Sequence, residues 1–519
     1  MSYNQLVHGK NSLEGLVSIE VNDTDYELFI QDEQGNITSE IHPYRSWLLS
    51  DKKLSNKFVK LNGDLHYKYG LQFNSQEEAK KTNYFYSKKK NEDTYFIWNA
   101  KEQVMLKDGL TYYKNLNPKD VSVLAFDLET TSLKPEQGEV ILISNTFRSK
   151  QGIEKKLFSI DEYESEADML IDWCNFILDK DPSILTGHNI FSFDFNYLVR
   201  RSEILDIDLC MGRNGSPITQ NKNPSTFRID GSRDQDYNNI SCYGREIIDT
   251  LFLAYRYDIV KKKYDSYGLK PIIKAEKLEK LNRTFYDASQ IRFNYTNPKE
   301  MEKIKAYCID DSDDALAVFD LMAPAYFYQT QYCTRSFQHL HQSATGALIN
   351  GILVRSYLQN KHSIPKATPL EKLAGGVSFA IPGIYRNVMK VDLKSAYPSQ
   401  VLRFKLYDKT KDPEANYYNL VKFFTEQRFH YKKMFKETGD KKWEDLDATA
   451  KIFINSAYGA CSTNGLQFNS PVVAAKITEE TRNVIDMALK WASGEGKDFW
   501  MSKFKEIVGD DTEDTEDAV

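Results

Sequence analysis

The chain has 519 residues, enough for about three or four domains with sizeable cores. Its net charge of −6 provides no attractive overall field for nucleic acid, so any such contact must come from local basic patches. Six cysteines are scattered singly, which argues against a disulfide framework or a zinc cluster and favours a reducing compartment. The start lacks the pattern of a signal peptide, and no run approaches the ~20 apolar residues of a membrane span. We therefore expect a soluble cytoplasmic protein without a membrane partner.

The first 113 residues predict a β-rich unit without a catalytic constellation. Short β-like runs cover Leu16–Val21, Tyr26–Ile30 and Thr94–Trp98. Turn-forming residues separate the runs, as at Asp32–Gly35. This pattern is typical of a structural domain.

Two carboxylates follow the first long apolar run of the middle section. Residues 121–126 predict a buried strand, and Asp127 and Glu129 come directly after it. Because side chains alternate along a strand, both carboxylates face the same side. A second short strand, Ser183–Thr186, leads into a loop that ends at Asp194. Acidic pairs are also common on protein surfaces, so the pair alone does not assign a site.

A helix is predicted over Lys303–Val318, where apolar residues recur at helical spacing. Tyr307 and Asp311 are four residues apart and share one face, a step that Asp310 does not satisfy. Acids on a strand, a loop and a helix can converge on two divalent ions, which activate a water and stabilise the leaving oxygen. Such a site would take Mg²⁺ or Mn²⁺ as cofactor, although the spacing alone does not assign it.

Three strings in this section resemble, in the same order, the motifs of DnaQ-type 3′→5′ exonucleases. They are D-x-E at 127–129, N-x-x-x-F-D at 189–194 and Y-x-x-x-D at 307–311. The resemblance implies a ribonuclease-H-like fold, with a mixed sheet flanked by helices. It also implies a set of metal ligands, with Tyr307 orienting the attacking water; the ligands are Asp127, Glu129, Asp194 and Asp311.

Further along, Val388, Met389 and Val391 predict a buried strand that presents Asp392 at its end. A carboxylate in that place can hold a hard cation. Pro398 is expected to stop the strand. An aspartate after a strand is also a common cap or turn residue.

Two helices are predicted next, Tyr418–Lys436 and Ala448–Tyr458, joined by a turn at Gly439-Asp440. Their polar residues recur at helical steps, Arg428 and Lys432 on the first helix and Lys451, Asn455 and Tyr458 on the second. Facing cations on antiparallel helices can clamp phosphate. Charge runs of this kind also occur on solvated helix faces.

The strings Val391–Ser399 and Lys451–Gly459 closely resemble motifs A and B of family B DNA polymerases, D-x-x-S-x-Y-P-S and K-x-x-x-N-S-x-Y-G. The resemblance implies that Asp392 binds a catalytic metal and that the helix pair forms the fingers. It assigns nucleotide binding to Ser395, Tyr397, Arg428, Lys432, Lys451, Asn455 and Tyr458. Ala396 departs from the pattern, in which leucine is usual, and this puts fidelity and sugar selection in doubt.

The family resemblance also suggests interpretations for segments that carry no clear motif. Residues 1–113 look like the amino-terminal domain of T-even-type bacteriophage polymerases. The polar segment 211–245 has hairpin composition. It is either the hairpin with which such polymerases separate the primer end or a plain surface insertion. Residues 326–370 include the apolar Thr345–Val354, predicted to be buried.

The family requires a second pair of metal-binding aspartates in motif C, Y-G-D-T-D-S. Val508–Asp514 resembles it only superficially, because six acids in the last ten residues favour a solvated acidic segment. We therefore expect the chain to stop before motif C and the thumb. Synthesis would then require a second polypeptide that supplies both, as in polymerases with a split or intein-interrupted gene.

The sequence thus predicts a multidomain α/β protein with a ribonuclease-H-like exonuclease, helical-hairpin fingers and a partial palm of antiparallel sheet and helices. The expected bounds are 1–113 for the amino-terminal domain, to which 326–370 returns, 114–325 for the exonuclease, 408–462 for the fingers, and 371–407 with 463–519 for the palm. The predicted function is the amino-terminal part of a DNA-directed DNA polymerase, a nucleotidyltransferase with 3′→5′ proofreading exonuclease. The alternatives are a free-standing 3′→5′ exonuclease and a catalytically silent DNA-binding subunit. Predicted partners are primer-template and single-stranded DNA, deoxynucleoside triphosphates, the complementary polypeptide and a sliding clamp.

Overall fold

The computed structural model of the protein describes residues 3–230, 233–342, 347–370, 380–388, 390, 392–393 and 395–508. Along the chain, the structure contains helices and several separate sheets. This confirms the expected mixed α/β, multidomain fold. Among the described helices, none combines the length and apolar character needed to cross a bilayer.

The amino-terminal part contains two antiparallel sheets and three helices. Its strands are β1 (Leu16–Val21), β2 (Asp25–Gln31), β3 (Ile37–Pro43), β4 (Ser46–Ser50), β5 (Val59–Lys60), β6 (Tyr69–Phe73) and β7 (Thr94–Tyr95). Its helices are α1 (Tyr3–His8), α2 (Gln76–Tyr84), which continues into a π-helical turn at Phe85–Lys89, and α3 (Ala100–Asp108). The strand orders are β1-β2-β3 and β5-β6-β4-β7. The predicted β-rich character is confirmed.

A five-stranded mixed sheet forms the middle of the chain. Its strands are β8 (Val123–Thr130), β9 (Val140–Ser149), β10 (Gly152–Ser159), β11 (Ile184–Gly187) and, later in the chain, β16 (Glu246–Asp249). The order is β10-β9-β8-β11-β16; β8 is antiparallel to β9 and parallel to β11, and β11 is parallel to β16. The flanking helices are α4 (Glu166–Lys180), α5 (Asp194–Leu205), α6 (Thr250–Lys261), α7 (Leu269–Glu276), α8 (Ala288–Asn294) and α9 (Pro298–Met322). Strand β9 is buried along nearly its whole length, because α4 and α9 contact it.

Two small hairpin ladders lie between β11 and β16. Strand β12 (Thr219–Gln220) pairs with β15 (Ile240–Ser241), and β13 (Ser225–Arg228) pairs with β14 (Asp234–Tyr237). The ring of Phe227 is fully buried and stacks on Phe252 of α6, with centroids 4.0 Å apart. The hairpin composition predicted for 211–245 is confirmed, while its role stays open.

The next helices return to the amino-terminal part. They are α10 (Pro324–Thr330), α11 (Phe337–Gln342) and α12 (Ala347–Gln359). The Arg355 guanidinium is buried and donates to the carbonyl oxygens of Val7 at 2.7 Å and Tyr332 at 3.0 Å. Backbone bridges then join Asn62 to His362 and Tyr67 to Ile364. The burial predicted around residues 347–354 is confirmed.

The remaining elements are helices: α13 (Ala396–Phe404), α14 (Asn416–Thr438), α15 (Lys441–Ser462), α16 (Pro471–Ser493) and α17 (Lys497–Val508). Helices α14 and α15 form the predicted antiparallel pair. Gly439 ends α14 with φ 68°, a left-handed conformation that suits glycine, and the Asp440 side chain accepts the N–H of Lys442 at 2.9 Å to cap α15.

The strand predicted before Asp392 is not confirmed by the residues that the structure describes. The described residues from 380 to 388 have no regular strand, and Val388 is 75% exposed. Pro398 lies in the first turn of α13 and not at a strand end. Proline is tolerated in the first turn of a helix because the N–H groups of that turn have no acceptor within the helix. Met389, Val391 and the acidic tail 509–519 lie outside the described residues.

Candidate active site

Strand β8 carries Asp127 and Glu129 into a buried site. The strand continues to Thr130, so both carboxylates lie within it and not after it as predicted. The reason is its antiparallel partner: β9 places Ser144 opposite Asp127 and Leu142 opposite Glu129, which extends the ladder. Alternation along β8 then puts the two carboxylates on one face, as expected.

Helix α9 packs across β8 and β9 and supplies a second group of side chains. Tyr307, Cys308 and Asp311 are all buried, with exposures of 3%, 0% and 6%. The Ser144 hydroxyl donates to the carbonyl oxygen of Cys308 at 2.7 Å, which fixes the helix on the sheet. The predicted four-residue step therefore does bring Tyr307 and Asp311 onto the inner face of the helix.

The acids of this cluster lie close enough to oppose one another's ionisation. The potential ligand atoms of Asp127, Glu129 and Cys308 all lie within 4.8 Å of one another. Burial raises the pKa of Asp127 well above its usual range, and the charges of Glu129 and Asp311 act in the same direction. Burial, with the charge of Asp311 next, raises the pKa of Glu129 to about 8. A divalent cation would remove this mutual repulsion.

The Cys308 thiol differs from the carboxylates. Burial raises its pKa well above the usual range, with the charges of Asp127 and Glu129 adding to the effect. A neutral thiol is a poor metal ligand, and oxygen atoms are the ligands that Mg²⁺ prefers. The donor set thus fits a hard divalent ion held by carboxylates.

Asp194 begins helix α5 and is 4% exposed. The loop before it is held by Asp249 at the end of β16, whose carboxylate accepts the N–H groups of Asn189 at 2.8 Å and Phe191 at 3.1 Å. Burial raises the pKa of Asp194 to about 7, and the charge of Asp249 acts in the same direction. The charge of Asp194 in turn raises the pKa of Asp127, so the loop acid belongs to the same cluster.

Two basic residues that sequence reasoning missed reach this site. The Lys270 ammonium lies 4.1 Å from the centroid of the Tyr307 ring, donates to the Tyr307 hydroxyl and stands 3.4 Å from Asp311 Oδ2. The Arg283 guanidinium pairs with Asp311 and, at 2.7 Å, with Asp314 Oδ2. No spacing rule connects either residue to the three motifs, because both come from the segment between α6 and α9.

Asp310, the neighbour of Asp311, points to different partners. Its carboxylate accepts the N–H of Thr284 at 2.7 Å and lies 3.5 Å from the Lys280 ammonium. Asp311 is instead the residue whose charge raises the pKa values of Asp127 and Glu129. This geometry agrees with the choice of Asp311 made from the sequence.

The residues predicted to bind nucleotide meet in pairs at the contact between α13 and the helix pair. The rings of Tyr397 and Tyr458 lie 4.7 Å apart between centroids, at 42°. Arg428 Nε donates to Asp447 Oδ1 at 3.0 Å, and its Nη1 donates to the Ser395 hydroxyl at 3.4 Å. The structure therefore joins the two motifs that are separated by about fifty residues of sequence.

The other predicted nucleotide-binding residues lie around this contact. Arg428 and Lys451 line one cavity of about 370 Å³ beside α15. Asn455 is exposed on the same helix, and Lys432 is half-buried one turn beyond Arg428 on α14. Asp392 is exposed in irregular chain, and no hydrogen bond or ion pair links it to other described residues.

Part of the chain is similar to known proteins. Residues 103–272 match the family described as DNA polymerase family B, exonuclease domain. The DNA polymerase of Desulfurococcus sp. (strain Tok) is 22% identical over 413 residues, covering 72% of this chain and 51% of the relative. The DNA polymerase of Archaeoglobus fulgidus is 23% identical over 424 residues, covering 75% of this chain and 49% of the relative. The chain thus spans about half the length of these curated relatives.

Among solved structures, the family B DNA polymerase from the hyperthermophilic archaeon Pyrobaculum calidifontis has a similar fold. The TM-score is 0.70 at 15% sequence identity, and the match covers 92% of this chain and 71% of that chain. At this identity the likeness concerns the fold alone.

Fold and site together define a multidomain α/β protein with a buried acidic site on its central mixed sheet. More specifically, residues 103–272 match the exonuclease domain of family B DNA polymerases, and the chain is similar to archaeal DNA polymerases. The matched range includes Asp127, Glu129 and Asp194 and ends before α9. The resemblance of residues 1–113 to a bacteriophage domain stays a prediction.

Proposed function

We propose that the chain is the amino-terminal part of a DNA-directed DNA polymerase whose middle section removes nucleotides from 3′ ends as a proofreading exonuclease. The observation that carries this proposal is the buried cluster of carboxylates on β8, α5 and α9. Buried acids at such short range are unfavourable unless a cation compensates them. A chain that needed only stability would replace them with apolar residues.

The cluster offers the ligands for two divalent ions, Mg²⁺ or Mn²⁺, from Asp127, Glu129, Asp194 and Asp311. When bound, such ions supply an activated water, neutralise the scissile phosphate and stabilise the leaving oxygen. The chain itself buries the ligands and holds Asp194 through the Asp249-anchored loop. This support keeps the carboxylates in place before any substrate arrives.

Tyr307, next to Asp311 on α9, would orient the attacking water. Its hydroxyl accepts from the Lys270 ammonium and bonds Asp311, which fixes the direction of the phenol. Burial raises the pKa of Tyr307 far above its usual range, so the hydroxyl keeps its proton and donates it to Asp311. It positions the water and does not act as the base.

Trimming of a 5′-labelled single strand in Mg²⁺ tests the assignment under single-turnover conditions. Asp127→Ala should lower the rate by about a thousandfold or more, because it removes a ligand of the metal pair. Asp311→Asn and Asp310→Asn form a matched pair, since the same charge is removed from adjacent residues on the same helix. We expect the first to lose activity on a similar scale and the second to keep most of it.

Two outcomes would overturn the exonuclease proposal. Trimming that survives Asp127→Ala with its magnesium dependence intact would place the hydrolytic site elsewhere. A folded wild-type chain that binds DNA without trimming it would favour a catalytically silent DNA-binding subunit. Trimming without any polymerase activity in every combination of partners would instead favour a free-standing exonuclease.

We also propose that α13, α14 and α15 bind the incoming deoxynucleoside triphosphate when a complementary polypeptide supplies motif C and the thumb. The pairing of Ser395 with Arg428 and of Tyr397 with Tyr458 supports this, because it aligns both motifs at one place. Primer extension in an Asp127→Ala background, which spares the primer, is the test. The 519-residue polypeptide should extend only after that partner is added, and Lys451→Ala should weaken nucleotide use. Extension by the chain alone, lost in Asp511→Ala, would refute the need for a partner.

A further inference from the structure

The guanidinium of Arg428 on α14 is paired with an acid of the neighbouring helix. Its Nε donates to Asp447 Oδ1 of α15 at 3.0 Å, and its Nη1 donates to the Ser395 hydroxyl at 3.4 Å. The side chains of the ion pair are 18% and 22% exposed, so water screens the pair only in part. Lys432 and Lys451, the other cations assigned to nucleotide binding, form no hydrogen bond or ion pair with other described residues. Within the described chain, Arg428 is thus the one of these cations that an acid neutralises.

Asp447 lies close to two of these cations. It precedes Lys451 by four residues, so both side chains lie on the same face of α15. Arg428, Asp447 and Lys451 all line the cavity of about 370 Å³ beside that helix. Glu444 and Asp445 line it too, but among the described contacts neither pairs with Arg428. A phosphate that contacts Arg428 in this cavity would therefore meet the carboxylate of Asp447.

The contact between Asp447 and Arg428 is of a kind that an anionic ligand can replace. Carboxylate and phosphate oxygens both accept charge-assisted hydrogen bonds from a guanidinium, so they compete for the same donors. Asp447 accepts one such bond, from Nε, whereas a phosphate can accept from two N–H groups of the fork at once. The negative charges of the carboxylate and of the phosphate also repel each other at this range. Both effects favour exchange of one anion for the other.

We propose that Asp447 is a positioning residue of the nucleotide site: it takes the place of a phosphate on Arg428 while the site is empty and yields that place to a triphosphate. The inference rests on the proposed binding of deoxynucleoside triphosphates by α13, α14 and α15. Displacing Asp447 costs the same for every anion. A ligand that contacts Arg428 alone is therefore left with little net affinity, whereas a triphosphate also gains its contact with Lys451.

Chemical modification of Arg428 in the full chain tests the ion pair. Phenylglyoxal reacts with the uncharged form of a guanidinium, and the fraction in that form rises when a paired acid is removed. In EDTA without ligand, Asp447→Asn should speed the modification of Arg428 about fivefold, as followed by mass spectrometry.

Glu426→Gln is the matched control for this measurement. It removes one acid from the same helix pair, at a side chain that is 58% exposed and does not line the cavity. The modification rate of Arg428 should stay within about twofold of the wild-type rate, because an exposed charge at a distance is well screened. Equal rates in Asp447→Asn and Glu426→Gln would show that Asp447 does not hold Arg428, and would overturn the proposal.

Protection of Arg428 by inorganic tripolyphosphate tests the exchange. This probe carries the phosphates of a nucleotide without its base and sugar, and EDTA prevents divalent ions from bridging it to the acidic cluster. The concentration that halves the modification rate should be about fivefold lower for Asp447→Asn than for the wild-type chain, because no acid has to be displaced. Asp447→Glu retains the charge and should restore a value close to that of the wild type, and Glu426→Gln should match the wild type.

The outcomes separate this inference from the function on which it rests. Protection of the wild type and Asp447→Asn at the same concentration would overturn the exchange and leave the nucleotide site standing. Weaker protection of Asp447→Asn would also overturn it, since Asp447 would then support the binding of phosphate by Arg428. If tripolyphosphate protected Arg428 in none of the chains, the assignment of Arg428 to nucleotide binding would be refuted together with this inference.

Discussion

Replacing Arg283 should strongly destabilise the part of the fold that holds the acidic cluster. Its side chain is 1% exposed and pairs with Asp311 and Asp314, whose side chains are 8% and 1% exposed. Its Nη1 also donates to the Thr284 carbonyl oxygen at 2.9 Å. Arg283→Ala would therefore leave Asp314 without its ion-pair partner and Asp311 with the Lys270 ammonium, 3.4 Å away, next to the other acids of the cluster.

The expected cost follows from this burial. Removing one partner of a buried ion pair destabilises a fold by about 3–5 kcal/mol. For a unit of this size, each kcal/mol lowers the melting temperature by about 2–4 °C, so Arg283→Ala should melt about 6–20 °C lower. Differential scanning calorimetry of metal-free protein measures the shift.

Arg228→Ala is the matched control. Its side chain is 73% exposed and its Nε lies 3.4 Å from Asp234 Oδ1, so its ion pair should contribute at most about 1 kcal/mol. Mg²⁺ should stabilise Arg283→Ala more than it stabilises the wild type, because a bound cation replaces the lost charge. If the two alanine variants had the same melting temperature, Arg283 would not be compensating the charge of the buried acids.

Three further predictions concern the acidic cluster and the contact between α13 and α15. Burial raises the pKa of Glu129 to about 8 and of Asp194 to about 7, above their unfolded values, so the folded state holds extra protons between about pH 4 and pH 8. Stability of the EDTA-treated protein should therefore fall as the pH rises through this window, and Mg²⁺ should abolish the fall; a melting temperature independent of pH without metal would contradict this. Cys308, whose thiol stays neutral, should resist iodoacetamide in the folded chain, and Cys308→Ala should retain most Mg²⁺-dependent trimming; rapid labelling would contradict the assigned burial. The ring contact between Tyr397 and Tyr458 should give a coupling of about 0.5–1.5 kcal/mol in a double-mutant cycle measured by urea unfolding, and additive effects would refute it.

Hydrophobic periodicity and local sequence signals correctly predicted the elements that bury one face or their whole surface. The four-residue step from Tyr307 to Asp311 is a helical face, and α9 presents both residues inward. The turn at Gly439-Asp440 carries its own signals, a left-handed glycine and an N-cap aspartate, and it joins α14 to α15 where expected. Such signals depend only on local chain geometry.

Predictions that depend on distant partners fared less well. Nothing around Phe126 indicates that β8 continues to Thr130, because the extension is set by its pairing with β9. The apolar residues before Asp392 suggested a strand, yet Val388 is exposed among the described residues. Lys270 and Arg283 reach the acids from a separate segment, so only the folded chain reveals them.

The closure of the amino-terminal part by residues 347–364 bears on synthesis of the chain at the ribosome. Roughly 250 residues separate the last strands of that part from the partners Arg355, His362 and Ile364. At 5–20 residues per second, those partners emerge about 12–50 s later. The central sheet, whose strands all come from 123–249, is translated in the interval and can fold first. The amino-terminal part is thus synthesised first but is among the last parts to complete its fold. Until then its unpaired sheet edges are accessible to chaperones.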